Sequence, residues 1–524
     1  MSAGATPTTT SGCIRYWARQ RPDHPAMRSA SGQYTYAELD RATNQLAQAL
    51  RAAGVGPDDR VSYLDKNGPE QILLFFAAAK IGAVPTPVNY RLAPPEIAYI
   101  VADAAAKVFV VGDEFVAPVR KVKADLGGAR VVVMGQPDGD WPSLAQFTAG
   151  SSEEDPGFEP GPDSTACQLY SSGTTGRPKG VVLTQSNVAD GRDLYHQIMG
   201  MGPDSVSVVP MPLYHIGGSG WALAGFWQGA TNVIVREIVP EQLIDTLVTE
   251  GVTHGFIVPA VIQFMLNVPG VRDRDWSRLQ CVLYGASPIS ETVLAGAIET
   301  FGCRFVQAYG LTESTGTVIY LPADDHDLQG PNRHRLRACG IPIPGSEGKI
   351  VEPLTGEEMA DGEVGEIWVK GPTVMAGYWH QPEQTAASIR PGGWLRTGDA
   401  GYRDADGYFY IHDRVKDMIV SGGENVYPAE VENVIMSHPD VADVAVIGIP
   451  HERWGETPRA MVVRTAGADL TEDALLAYCR ERLAGFKCPT SIQWIDELPR
   501  NPSGKVLKKD LRAPFWEGRT RLVG

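Results

Sequence analysis

The chain has 524 residues, 43% of them apolar and 21% charged, a net charge of −16, 57 glycines and 39 prolines. That length exceeds one simple hydrophobic core and asks for two or three domains; the acidic balance excludes a general nucleic-acid or anionic-membrane binder, so any anionic ligand must be met by locally concentrated positive charge. The seven cysteines are scattered and odd in number, with no C-x-x-C pair, which argues for reduced thiols and a cytoplasmic location and against a structural zinc site.

The first residues, "MSAGATPTTTSG", are polar and lack the apolar core of a secretory signal. Thr35 and Glu38 form a T-x-x-E capping box. Leu39, Ala42, Leu46 and Ala49 then recur at helical spacing, and Gly54 stops the predicted helix. "RVSYL", Arg60 to Leu64, reads as a strand. The most apolar run, Ile72 to Val88, is interrupted by Lys80 and Pro85 and predicts a buried helix leading into a strand, not a membrane span. Gly150 to Thr165 is acidic and rich in Pro, Gly and Ser, the composition of a linker.

"YSSGTTGRPKG", Tyr170 to Gly180, cannot build a core. Its glycines let backbone N–H groups converge, its hydroxyls add donors, and Lys179 adds a point charge: the parts of a polyphosphate cradle. No G-K-[ST] ends it, so it is not a Walker A loop. Most Gly/Ser/Thr clusters are merely solvated loops; this one joins two apolar segments that read as strands, "CQLY" and "VVLT". Further on, "RLQCVLY" (Arg278 to Tyr284) predicts a strand, a helix follows to about Phe301, and "RFVQAY" (Arg304 to Tyr309) is the next strand, closed by Gly310. Strands alternating with helices imply an α/β fold with largely parallel sheets, whose ligands lie beyond the carboxyl ends of strands, here at Gly285 and Gly310. After about residue 400 the pattern changes. Short strands are predicted at 408–411, 418–420, 441–449 and 459–464, with helices at 428–436 and 471–484, as in a small α+β domain joined at 413–417.

"SSGTTGRPKG" resembles the signature of the adenylate-forming superfamily: acyl-CoA synthetases, adenylation domains of peptide synthetases, and luciferases. Further blocks resemble that family's in its order: "PLYHIGG" (Pro212 to Gly218), "YGAS" (Tyr284 to Ser287), "YGLTES" (Tyr309 to Ser314), "TGD" (Thr397 to Asp399), "DRVKDMIVSGGENVYPAEVE" (Asp413 to Glu432) and "PRNPSGK" (Pro499 to Lys505). The resemblance implies a large N-terminal domain of layered, mostly parallel sheets with helices (residues 1–413), a hinge at 414–417 centred on Lys416, and a small mobile α+β C-terminal domain (residues 418–524). It implies an acid–thiol ligase. A carboxylic acid, ATP and Mg²⁺ give an acyl-adenylate, and CoA then takes the acyl group. No nucleic acid is involved, and a homodimer is compatible with the reading.

The residue roles come with the resemblance. Ser171, Ser172, Gly173, Thr174, Thr175, Gly176 and Lys179 hold the β- and γ-phosphates. Thr312 meets the α-phosphate and Glu313 the Mg²⁺, whose hardness suits a carboxylate oxygen. Tyr309 stacks on adenine, bordered by Gly285, Ala286, Ser287 and Gly310. Asp399 accepts from the ribose hydroxyls with Arg414 near. Lys505 neutralises the encounter of the two anions as the catalytic cation. The C-terminal domain rotates after adenylation; Gly422 and Gly423 then line the pantetheine tunnel, and Phe486 and Lys487 meet the nucleotide end of CoA. Cys488, where several relatives carry Arg, departs from the pattern there. His215, Ile216, Gly217, Gly218 and Gly310 border the acyl pocket, with His215 gating the thiol; a lone His is by default a core residue.

Amino-acid-activating relatives place an Asp in the His215 block; none is present, so a simple carboxylic acid is expected. A medium- or long-chain fatty acid is the first expectation. An aryl, ring or steroid-derived acid is the alternative, as is delivery of the acyl group to a carrier protein. A catalytically silent acyl-nucleotide binder is a further reading, but it would be expected to lack Lys505, Glu313 or the phosphate loop.

Overall fold

The computed structural model describes residues 7–171, 177–353, 355–414, 417–421, 424–500 and 506–517. The chain divides into two compact units, residues 1–347 with 369–395, and residues 348–368 with 396–524. The fold is α/β, with mostly parallel sheets in the larger unit, as expected.

In the larger unit the predicted capping box forms. The Thr35 hydroxyl accepts from the Glu38 N–H at 3.2 Å, and Glu38 accepts from the Thr35 N–H at 2.8 Å. The helix Tyr36–Ala52 follows, and Gly54 takes φ +84° just beyond it. The apolar run becomes the helix Pro69–Ala79 and the strand Val84–Pro87, both buried. That strand joins Arg60–Leu64, Val108–Val111 and Arg130–Val133 in a parallel four-stranded sheet, built of β-branched residues because helices cover it. The expected linker is docked rather than loose. Arg15 pairs with Asp155 and Glu159 at 2.6 and 2.7 Å, and Asn44 donates to the Glu153 carbonyl at 3.0 Å.

A nine-stranded sheet runs from Ile341–Pro342 through Gly316–Leu321, Arg304–Leu311, Cys281–Gly285, His254–Phe256, Val206–Val209, Thr231–Ile234 and Pro25–Ser29 to Gly32–Thr35. Its central strands are parallel, so their carboxyl ends bring Gly285 and Gly310 to one edge. Strand Gly316–Leu321 turns back antiparallel, making residues 312–315 a tight connection at that edge. A three-stranded antiparallel sheet holds Thr165–Ser171, Lys179–Thr184 and Gly377–Tyr378.

In the smaller unit, residues 399–403 pair antiparallel with 409–414. Strands Ile419–Ser421, Glu424–Val426, Val441–His451, Gly455–Arg464 and Ser491–Trp494 form a sheet packed by the helices Pro428–Met436 and Glu472–Arg480. The predicted strands and helices of this region thus occur, most of them shifted by a few residues at an end.

Candidate active site

Ser171 and Lys179 face each other across the hairpin that closes the Gly/Ser/Thr segment. Ser172, Gly173, Thr174, Thr175 and Gly176 lie outside the described residues. Glu313 sits in the short 3₁₀ turn Thr312–Ser314 that ends strand Arg304–Leu311. Its Oε1 accepts from Ser171 Oγ and from Tyr378 Oη, both at 3.0 Å. The Lys179 ammonium stands 5.0 Å from the Tyr378 ring centroid. Burial lowers the Lys179 pKa, and the Glu313 carboxylate opposes that shift. A carboxylate, two hydroxyls and an ammonium therefore gather around the hairpin's base. Among the described residues no three His, Cys, Asp or Glu side chains cluster as a metal cage. Magnesium does not need one, since it commonly takes one or two carboxylates plus substrate phosphates. Glu313, with its hard oxygen beside hydroxyl donors, fits it.

The Thr312–Ser314 turn is held from inside. Ser314 Oγ accepts from the Leu311 N–H at 2.9 Å and donates to the Gly316 carbonyl at 3.0 Å. Thr315 adopts φ +55° and donates its hydroxyl to the Thr373 carbonyl at 2.6 Å. Gly310 has no alternative residue, because a Cβ there would strike the Gly316 carbonyl oxygen. Gly285 is similarly closed by the Ala308 carbonyl, and Ala286 takes φ +65° directly after it, ahead of exposed Ser287. Tyr309 is buried on strand Arg304–Leu311, next to Gly310.

A cavity of about 120 Å³ opens beside this segment, lined by Tyr309, Gly310, Thr315, Gly316 and Thr317 on one side. The helix Ile216–Trp227 forms its long wall. The lining residues Ile216, Gly217, Ser219, Gly220, Trp221, Leu223, Ala224 and Trp227 cover one broad side of that helix. The helix is apolar around nearly its whole circumference, as a helix buried in a core must be. Of the residues expected at the acyl pocket, Ile216, Gly217 and Gly310 line this cavity. Gly218 instead packs against the Pro212 carbonyl, where a side chain would collide. His215 precedes the helix, its carbonyl accepting from the Gly218 and Ser219 N–H groups at 2.9 Å and its ring tilted against Tyr214 at 4.4 Å. Burial first, then the Arg91 charge, brings its pKa down to about 4, so the imidazole is neutral at physiological pH.

In the smaller unit Asp399 is buried, and it stands opposite Arg414 in the strand pairing. The turn before it hangs on buried Glu366, which accepts from the Gly398 N–H at 3.1 Å, from Trp368 Nε1 at 3.1 Å and from Arg396 at 2.8 Å. Phe486 is 41% exposed. Lys487 gives its ammonium to both oxygens of Glu430, at 2.7 and 2.8 Å, and the buried Cys488 thiol faces the Leu483 and Ala484 carbonyls. Lys416, Gly422, Gly423 and Lys505, together with the Arg414 side chain, lie outside the described residues.

Sequence reading did not find Tyr378, Glu366 or Glu430. Tyr378 meets Glu313 across 65 residues, and Glu430 meets Lys487 across 57. No local pattern announces either; such long-range partners are visible only once the elements are placed.

The family model described as AMP-binding enzyme matches residues 14–379, and that of the AMP-binding enzyme C-terminal domain matches residues 430–505. The chain is 39% identical to a fatty acid–[acyl-carrier-protein] ligase, ScoC, of Streptomyces coeruleorubidus, over 97% of this chain and 96% of that one. It is 38% identical to a feruloyl-CoA synthase of an Amycolatopsis species, over 95% of this chain and 97% of that one. The crystal structure of ATP-bound MatB from Rhodopseudomonas palustris superposes with a TM-score of 0.87 at 31% identity, covering 96% of this chain and 99% of that one. The chain belongs to the AMP-binding enzyme family: it is an acid-activating ligase of the adenylate-forming superfamily.

Proposed function

We propose that the protein is an ATP-dependent acid–thiol ligase that turns a compact carboxylic acid into its acyl-adenylate and then into the CoA thioester, releasing pyrophosphate and AMP. The observation that carries this reading is the continuity of residues 309–317. Glu313, bonded to Ser171 beside the hairpin, and the wall of an apolar cavity belong to one stretch of chain. Phosphates held at the first and an acyl group held in the second would place a carboxylate next to an α-phosphate. Such positioning is worth several orders of magnitude in rate.

Residues of the chain have the following parts. Lys179 and the hairpin hold the terminal phosphates, and Thr312 holds the α-phosphate. Tyr309 and Gly285 to Ser287 border adenine, and Asp399 orients the ribose. A divalent cation at Glu313, when bound, supplies neutralisation of phosphate charge. Lys505 stabilises the approach of the acid carboxylate to the α-phosphate, where pyrophosphate leaves. In the second half-reaction the thiol sulfur replaces AMP at the acyl carbon. His215, neutral at the edge of the pocket wall, adds no charge that would hold back either anion.

The acid is compact. An enclosed apolar cavity of about 150 Å³ holds benzene; at about 120 Å³ this cavity favours a short or ring acid over a long chain. The feruloyl-CoA synthase among the relatives, named for a ring acid, supports this. A second reading, delivery to a carrier protein, is favoured by one observation. Lys487 is committed to Glu430, which leaves less positive charge for the nucleotide end of CoA, and one relative is named as a carrier-protein ligase.

The test is a panel of carboxylic acids with ATP and Mg²⁺, offered either CoA or a phosphopantetheinylated carrier. Products are scored as AMP and by thioester mass. Acid-dependent AMP with thioester on CoA is the expected result. Thioester on the carrier alone replaces the first reading by the second, and no acid-dependent AMP refutes both.

A further inference from the structure

Asp103 closes the helix Pro94–Asp103, and Ala105, at φ +50°, turns the chain away from it. A carboxylate at that end opposes the helix dipole, which favours cations there. The helix itself therefore gains nothing from an acid at this position. The contacts Asp103 makes lie elsewhere, on the three-stranded sheet that carries Ser171 and Lys179.

Tyr170 Oη donates to Asp103 Oδ2 at 2.6 Å. Burial first, then this bond, raises the Tyr170 pKa, so the phenol stays protonated and remains the donor. The Asp103 backbone carbonyl is one of the last-turn acceptors that an α-helix leaves unpaired. It takes the Trp379 indole N–H at 3.0 Å. Tyr170 belongs to strand Thr165–Ser171, one residue before its end. Trp379 directly follows strand Gly377–Tyr378, and its backbone N–H donates to the Gly180 carbonyl at 2.7 Å. These are the two outer strands of the sheet, and Lys179–Thr184 runs between them. The assembly is closely packed. Arg60 lies 3.4 Å over the Trp379 ring and donates to Gln168 Oε1 at 3.1 Å, while Gln168 donates to Tyr170 Oη at 3.1 Å. A Cβ on Gly180 would stand 2.5 Å from Gln168 Nε2.

The neighbours of the two gripped residues carry the consequence. Ser171 follows Tyr170 and Tyr378 precedes Trp379, and these are the two hydroxyls that donate to Glu313. Successive strand side chains point to opposite faces, so Asp103 acts from behind the face that presents Ser171. We infer that Asp103 is a positioning residue for adenylation: by holding Tyr170 and Trp379 it sets Ser171 and Tyr378, and through them the Glu313 carboxylate beside Lys179. This inference rests on the ligase reading above and adds to it a residue remote from the reacting atoms.

The test uses the full-length chain as wild type, D103A, D103N and Y170F, with the acid that releases most AMP in the panel above. Two rates are read. One is acid-dependent pyrophosphate release at varied ATP with Mg²⁺. The other is thioester formation from the preformed acyl-adenylate of that acid, with whichever thiol, CoA or carrier, the wild type accepts; this step bypasses ATP. D103A and Y170F are expected to lower kcat/KM for ATP by about 10-fold or more, the order lost when reacting groups are misplaced. Both should form thioester from the preformed adenylate at the wild-type rate. D103N keeps an oxygen for the Tyr170 hydroxyl and should restore most of the loss. Y170F removes the same bond while keeping the ring, so the inference remains testable if D103A does not fold. Unchanged pyrophosphate release in Y170F and D103A, equal loss in both rates, or no recovery in D103N overturns the inference while the ligase reading stands. No acid-dependent AMP from the wild type with any acid overturns the ligase reading, and this inference falls with it.

Discussion

Glu313 offers one oxygen to two hydroxyl donors, Ser171 and Tyr378, and this fixes where its second oxygen can go. Removing the Tyr378 hydroxyl frees the carboxylate to rotate. Y378F is expected to lower the adenylation rate by about 1 kcal/mol of barrier, roughly 5-fold, with little change in melting temperature. Acid-dependent pyrophosphate release measures it. Lys505 is expected to matter more: K505A suppresses adenylation by about 10²–10³-fold while folding is retained, and near-normal pyrophosphate release would refute its role. The histidines give a stability prediction. Burial depresses His215 and His326 from 6.5 to about 4. Below pH 6.5 the unfolded chain gains protons that these folded sites refuse. Stability is therefore complete above pH 6.5 and falls as pH drops toward 4, by about 3 kcal/mol for each histidine. Denaturant melts at stepped pH should show H215N flattening this slope. The sequence made Glu313 and Lys179 legible because their motif residues are contiguous. It could not make Tyr378 legible, since that contact closes only when the Gly377–Tyr378 strand pairs with Lys179–Thr184.

At the scale of single elements, the helix Ile216–Trp227 and the turn before Asp399 each support one prediction. A Cβ on Gly220 would meet only the flexible end of Ile216, at 3.2 Å. G220A should therefore be tolerated and should gain about 0.5–1 kcal/mol from helix propensity, while narrowing the middle of the cavity. Its kcat/KM should fall for bulky ring acids and hold for slimmer straight-chain acids, which a parallel acid panel would reveal. The turn carrying Asp399 hangs on Glu366, whose side chain is 2% exposed and paired with Arg396. E366A leaves buried donors without an acceptor and is expected to cost about 3 kcal/mol, with a raised KM for ATP. Elements were the most readable level. The T-x-x-E box, the Ile72 to Val88 run and the strand at Arg60–Leu64 each express a local rule, and each formed where local chemistry put it. The docking of residues 150–165 was not readable, because composition reports turn propensity but not the Arg15 guanidinium waiting 140 residues away.

At the scale of the molecule, two compact units divide the groups that the chemistry calls for, with Glu313, Lys179 and the cavity in one and Asp399, Phe486 and Lys487 in the other. Thioester formation is proposed to depend on the second unit in a way that adenylation does not. G423L is accordingly expected to leave pyrophosphate release intact and to slow thioester appearance at least 10-fold, the order lost when a reacting pair is misplaced. Equal loss in both steps would refute the tunnel role of Gly423. The overall architecture was legible because ordered motifs name a fold, whereas the acid was not, because cavity size emerges from side chains brought together from distant segments. The wall helix carries that point further. Its cavity-facing positions cover one broad side, and none of them belongs to the phosphate-handling groups. Exchanging a residue at 220, 224 or 227 would retune which molecule is activated while the reaction itself carried on. Kinship by overall identity is then a poor guide to diet, and the residues on this one side of a helix are the better label.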